Sequence, residues 1–156
     1  MRRRFLLCAT VLFWITGCGA SFPRETSVRR VVDGDTVQLA DGRLVRYIGI
    51  DTPEMRRRMN GRWIEDPQPM AHEATGANRR LVEGKRVRLE YDVQTHDRFG
   101  RLLAYVYVDG VMVNEELLHQ GLAQLLTIPP DVKYVERFRA AAAQARAARR
   151  GMWAER

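Results

Sequence analysis

Apolar and polar positions are most telling along Arg43–Ile50 (RLVRYIGI). In a strand there, Leu44, Arg46, Ile48 and Ile50 share one face, and Val45 and Tyr47 take the other. Both faces are largely apolar, as expected of a barrel strand packed inside and covered by helices outside. Shorter runs predict strands near Ser27–Val32, Thr36–Ala40, Arg86–Val93 and Leu102–Val108. Asp41-Gly42 reads as a hairpin turn with positive φ at both residues, and Asp109-Gly110 as another turn. Helical spacing predicts helices over about Pro69–Val82, Asn114–Gln120 and Tyr134–Arg149. Pro69 suits a first turn, and Gly84, Gly121 and Gly151 each follow an end. In the last helix Phe138, Ala142 and Ala145 would dock inward, with Arg137, Arg139, Arg146, Arg149 and Arg150 outward. Met55–Gln68, with Arg56-Arg57-Arg58 and Trp63, reads as a long loop. Five short strands with a helix after the third is the order of an OB-type barrel. The expected fold is α+β, mainly β, with a five-stranded barrel and about three helices.

The first residues follow a different pattern. Met1–Arg4 is basic, and Phe5–Thr16 is an apolar run too short for the ~20 residues that span a bilayer. Residues 1–17 therefore read as a signal peptide. Ile15-Thr16-Gly17-Cys18 resembles the bacterial lipoprotein signal, in which the cysteine is lipidated and becomes the first residue. The alternative is an ordinary cleaved signal followed by a stray cysteine. Of the two cysteines, Cys8 lies in the apolar run, so only Cys18 would survive processing and no internal disulfide is possible. Residues 18–26 read as the lipidated cysteine and a tether, 27–153 as one domain, and 154–156 as a tail. Without Arg2, Arg3 and Arg4 the net charge falls from +7 to +4. That excess permits an anionic partner without demanding one.

Candidate chemistry concentrates in Val31–Glu54 (VVDGDTVQLADGRLVRYIGIDTPE). The hairpin folds the chain back, so Asp35 and Asp51 fall at the same end of adjoining strands. Two close carboxylates repel, and a hard divalent cation removes that conflict by binding both through oxygen. Arg46 is a cation at a position that could have been apolar. It reads either as an arginine snorkelling at the barrel rim or as a guanidinium aimed into a cleft. Asp97-Arg98-Phe99-Gly100-Arg101 reads as a turn leading into a strand. Alone it is as well explained by a solvated charge pair, but beside the first cluster it makes a phosphate-plus-metal site plausible, because guanidinium grips two phosphate oxygens at once. His72, His96 and His119 lack metal-ligand spacing. Glu73 and Asn114 read as residues holding helix starts to the barrel.

The stretches VVDGDTVQL, VRYIGIDTPE, DRFGRLLAYVYVDGVMVNEELLHQGLA and GMW, in this order, resemble the staphylococcal nuclease family of calcium-dependent nucleases on an OB-fold. The resemblance covers Ser27–Trp153. It implies that Asp35 and Asp51 are calcium ligands and that Thr52 adds its main-chain carbonyl. It implies that Arg46 and Arg101 hold the scissile phosphate and that Glu54 activates or orients the attacking water. A free glutamate is a weak base, with pKa ~4.3, so an orienting role suits Glu54 better. The chain departs from the family in three places. Leu125–Pro129 has no aromatic where the family places tyrosines that pack on the nucleotide, Phe99 replaces a tyrosine, and the loop after Glu54 is arginine-rich.

These readings lead to a lipid-anchored, Ca2+-dependent phosphodiesterase acting on DNA and RNA, expected as a monomer. The expected location is the cell envelope, at the outer membrane facing the periplasm or at the cell surface, held there by Cys18. The alternative from another class is a non-catalytic OB-fold nucleic-acid-binding lipoprotein. Such modules need a basic groove and stacking aromatics, whereas this chain keeps the acids and both arginines and lacks the tyrosines.

Overall fold

The computed structural model describes residues 22–154. The segment expected to be a signal peptide, with Cys18, lies outside the described residues. Five strands form the barrel: β1 (Glu25–Asp33), β2 (Thr36–Leu39), β3 (Leu44–Tyr47), β7 (Arg86–Glu90) and β8 (Leu102–Val108). The sheet order is β3-β2-β1-β7-β8, all antiparallel, and a parallel β3–β8 pairing closes the ring. Closure leaves no open edge among these strands. Helix α1 (Ala71–Val82) follows the third barrel strand, α2 (Val113–His119) follows the short strand β9 (Val111–Met112), and α3 (Val135–Ala147) comes last. The OB-type barrel with three α-helices is as the sequence predicts.

The core lies inside the barrel and beneath the helices. Val37, Leu39, Val45, Ile50, Leu102 and Leu117 are wholly or almost wholly buried, each contributing about 1.5–3 kcal/mol by leaving water. On α3, Phe138, Ala141 and Ala145 are buried, with Ala141 in the place expected for Ala142. Phe138 packs edge-on to Tyr105 with centroids 5.9 Å apart.

Three local expectations are corrected. The predicted strand Arg43–Ile50 is interrupted after Tyr47, and Ile50–Asp51 forms a separate short strand, β4, paired with β10 (Gln124–Leu125). Gly49 makes the break, with φ of 83° and no room for a Cβ, which would fall 2.5 Å from the Phe138 ring. Ile48 and Ile50 therefore do not continue the face of Arg46. The Asp41-Gly42 turn has positive φ only at Gly42, because the Leu39 amide donates to the Arg43 carbonyl (2.9 Å) and closes a three-residue loop, Ala40–Gly42, in place of the two-residue type.

The third correction concerns Met55–Gln68. Most of it is a hairpin, β5 (Arg56–Met59) and β6 (Arg62–Glu65). Asn60 and Gly61 both take positive φ, 51° and 79°, as a tight hairpin turn requires. The Asn-Gly pair carries that signal in the sequence, but RRRM and RWIE do not alternate apolar with polar, so periodicity hides it.

Of the expected tether, the described residues lie on the barrel. The Leu89 amide donates to the Arg24 carbonyl (2.7 Å), the Tyr91 hydroxyl donates to the Pro23 carbonyl (2.8 Å), and Phe22 packs on Tyr91. Among the described residues no helix is long and apolar enough to cross a membrane.

Candidate active site

Asp35 occupies the tight turn between β1 and β2 and is 3% exposed. Its Oδ2 accepts from the Thr52 amide (2.9 Å) and the Thr52 hydroxyl (3.0 Å), and its Oδ1 accepts from the Thr36 hydroxyl (3.2 Å). The turn is braced from α1. Asn78, fully buried, donates from Nδ2 to the Asp33 carbonyl (3.1 Å) and accepts from the Tyr47 hydroxyl (2.9 Å).

Register supplies the arginine. Arg46 pairs with Thr36 across the β2–β3 ladder, which sets its side chain beside Asp35. Arg46 Nη1 lies 2.9 Å from Asp35 Oδ2, and Nη2 donates to Asp51 Oδ1 at 2.8 Å. Nη1 also donates to the carbonyls of Tyr47 (3.1 Å) and Ile50 (2.9 Å). One guanidinium thus bridges both predicted metal ligands. Its Nε–H and one Nη2–H have no partner among the described residues. Arg46 is tied to backbone and carboxylates together, so the rim-snorkelling alternative gives way to a guanidinium built into the site.

Arg101 enters from the loop before β8. Asp97 organises that loop: its Oδ1 accepts the amides of Phe99 and Arg101 (both 2.9 Å), and its Oδ2 accepts Arg101 Nε (2.7 Å). Burial pushes Asp97 up, but these bonds outweigh it and hold the carboxyl below its ordinary range. Arg101 Nη1 reaches the Thr36 hydroxyl at 3.5 Å. A continuous polar chain therefore runs from Arg101 through Thr36 and Asp35 to Arg46 and Asp51.

The acids feel one another. Burial, more than any other cause, raises Asp35 above the usual carboxylate range, and Asp33 adds to it, while Arg46 and Thr52 pull it down. Glu54 is raised by partial burial and then by Asp33 and Asp51, against Arg46 and Arg101. Asp33 is thus a further acid of the site, given no role by the sequence reading. Its signal was its place two residues before Asp35, whose amide donates to its Oδ1 at 3.2 Å.

Asp35, Asp51, Thr52, Glu54, Arg46 and Arg101 are all brought to one end of the barrel. Arg46 and Arg101 line a cleft of about 470 Å³ there, walled also by Ile50, Phe99, Leu126 and Ile128, and Arg46 joins it to Asp35 and Asp51. Phe99 and Ile128 are 69% and 58% exposed, so the cleft wall after β10 is aliphatic where aromatics are absent from the sequence. All-oxygen donors, with Asp33 adding negative charge that raises both Asp35 and Glu54, suit a hard cation. Among the described residues no three His, Cys, Asp or Glu side chains form a preformed metal cluster. The expected set asks for only two carboxylates and the Thr52 carbonyl, with water to complete it.

A closed five-stranded barrel with acids and guanidiniums gathered at one end defines an OB-fold protein with a charged site beside a cleft. Residues 44–155 match the family described as staphylococcal nuclease homologue. Among similar proteins, the thermonuclease of Staphylococcus hyicus is 40% identical over 129 residues, covering 81% of this chain and 73% of that protein. Endonuclease YncB of Bacillus subtilis is 37% identical over 136 residues, covering 84% and 62%. The SPbeta prophage-derived endonuclease YokF of Bacillus subtilis is 36% identical over 136 residues, covering 84% and 44%. The matched region thus spans less than two thirds of the two Bacillus proteins. This chain belongs to the staphylococcal nuclease homologue family.

Proposed function

We propose that the protein is a calcium-dependent endonuclease that hydrolyses phosphodiester bonds of DNA and RNA in the cell envelope. The observation that carries this reading is the Arg46 fork spanning Asp35 and Asp51 beside Arg101. A pure binding groove has no use for carboxylates gathered where a phosphate would sit. The family and the names of the relatives point the same way.

Asp35, Asp51 and the Thr52 carbonyl would hold the cation, which when bound polarises water and offsets phosphate charge. Arg46 and Arg101 keep N–H donors directed to phosphate oxygens and stabilise the charge that grows there in the transition state. Their remaining donors are tied, for Arg101, to Asp97 and Thr36 and, for Arg46, to Asp35, Asp51 and backbone carbonyls, so the forks are positioned before substrate arrives. Glu54 orients the attacking water at the rim.

The test is cleavage of DNA and RNA by purified protein beginning at Gly19, which retains the docked Phe22–Arg24 segment. Cleavage with calcium and none with chelator is the expected result. Binding without cleavage in calcium would favour the non-catalytic module.

Cys18 is lipidated in this reading and holds the domain at a membrane. Ile15–Cys18 supports it, as does Gly19, which is not the aspartate that resembles an inner-membrane retention signal. One acyl chain anchors only marginally, and a lipoprotein cysteine carries more than one. Mass spectrometry of the mature protein tests it, since an unmodified N-terminus beyond Cys18 contradicts it.

A further inference from the structure

The β5–β6 ribbon takes no part in the chemistry above, yet it grows directly from the site. The Glu54 amide donates to Gln68 Oε1 (2.8 Å), the Gln68 amide donates to the Glu54 carbonyl (2.9 Å), and the Asp66 amide donates to the Met55 carbonyl (3.3 Å). Its two strands are therefore zipped together from Glu54 outward.

Register decides what each face carries. Arg58 stands opposite Trp63, and Arg56 opposite Glu65. Residues two apart on a strand share a face, so Arg56, Arg58, Trp63 and Glu65 lie together. Trp63 is 68% exposed. Arg57, on the other face, is paired with Asp66, whereas Arg56, Arg58 and Arg62 make no ion pair among the described residues. From Arg56 to Asp66 four arginines outnumber two acids. An indole left largely open to solvent, beside an unpaired guanidinium, presents a flat apolar surface and a phosphate fork side by side. That is the chemistry that holds single-stranded nucleic acid. At ~3.3 Å per residue, Arg58 and Trp63 stand roughly 13 Å along the ribbon from Glu54, out of reach of the scissile phosphate but within reach of nucleotides beyond it.

We propose that this ribbon binds single-stranded nucleic acid flanking the cleavage point, with a base stacked on Trp63 and phosphates gripped by Arg58 and Arg56. The inference deepens the nuclease reading by supplying an aromatic platform outside the cleft, whose wall at Leu126 and Ile128 is aliphatic.

The experiment separates binding from turnover. Full-length protein in detergent and chelator is titrated into a fluorescent twelve-residue oligothymidylate, and affinity is read by anisotropy. Trp63→Ala should weaken binding about tenfold, in line with the loss of one base–aromatic stack. Trp63→Phe should retain most of the affinity, and Arg58→Ala should weaken it and flatten its salt dependence. In calcium, kcat on a mononucleotide p-nitrophenyl phosphodiester, too short to reach the ribbon, should be unchanged in all three. Unchanged oligonucleotide affinity in Trp63→Ala and Arg58→Ala overturns the proposal. So does a loss confined to binding of anionic phospholipid vesicles, which would make the ribbon a membrane contact. Wild-type protein that binds the oligonucleotide through Trp63 but cleaves nothing would sink the nuclease reading and leave the ribbon standing.

Discussion

Arg46 Nη1 lies 2.9 Å from Asp35 Oδ2, with the carboxylate side chain 4% and the arginine side chain 12% exposed. Such a pair is held by geometry as much as by charge, because each partner has further bonds to the backbone. Arg46→Lys keeps the charge and loses the fork. Turnover should fall on the order of a hundredfold, as for other lost transition-state donors, and thermal stability should drop because the Tyr47 and Ile50 carbonyls lose a donor. Arg101→Lys should show a similar loss of kcat with a smaller effect on stability. Wild-type turnover in folded Arg101→Lys would show that its role is misassigned.

Asp51 offers the opposite balance. Its side chain is 53% exposed, so Asp51→Ala should cost no more than about 1 kcal/mol of stability. Calcium affinity by calorimetry and nuclease turnover should nevertheless fall together. Full activity of this variant in chelator would remove the metal from the reading.

Asn114 links fold to site. It is fully buried, donates from Nδ2 to the Ile48 carbonyl (2.9 Å) and accepts the Val106 amide (2.9 Å), tying α2 to β8 and to the bend before Ile50. Asn114→Leu leaves both backbone groups unpaired and should cost about 2–5 kcal/mol by denaturant unfolding. A loss below 1 kcal/mol would mean that those groups find other partners.

Glu90 gives a pH signature. Burial pushes its carboxyl up, but hydrogen bonds from Lys133, Tyr134 and Arg88 outweigh that and hold it at about 2. Because the folded value lies below the unfolded one, its stabilisation is complete above about pH 4.5 and is lost as pH falls toward 2. Glu90→Gln should therefore lower stability at pH 7 by on the order of 1–2 kcal/mol. The gap to wild type should close near pH 2, and a gap constant with pH would refute the assignment.

Much of this was legible along the chain. Leu102–Val108 is a strand with the bounds its apolar run predicts, and the six residues expected to act on metal or phosphate gather at one end of the barrel, Arg46 and Arg101 lining its cleft. Two other expectations were only half met. Asn114 does staple its helix to the barrel, whereas Glu73 stands exposed on the first turn of α1. A residue type at a helix start fixes no partner when the neighbouring element lies far away in the chain.

Local pattern is enough to order the strands and helices, because the side-chain periods of 2 and 3.6 are properties of neighbouring residues. Spacing around turns likewise foretells that Asp35 and Asp51 can meet. What folding alone settles is long-range. The parallel β3–β8 closure places Arg101 within reach of Thr36, since Leu102 and Leu103 pair with Val45 and Arg46 across more than fifty residues. Phe138, from the last helix, occupies the space that forces Gly49 to bend and so divides one expected strand into two. Asp33 acquires its influence on Glu54 only when the barrel brings their charges near. Burial, Coulomb repulsion and steric exclusion depend on distance through space and leave no periodic trace along the chain.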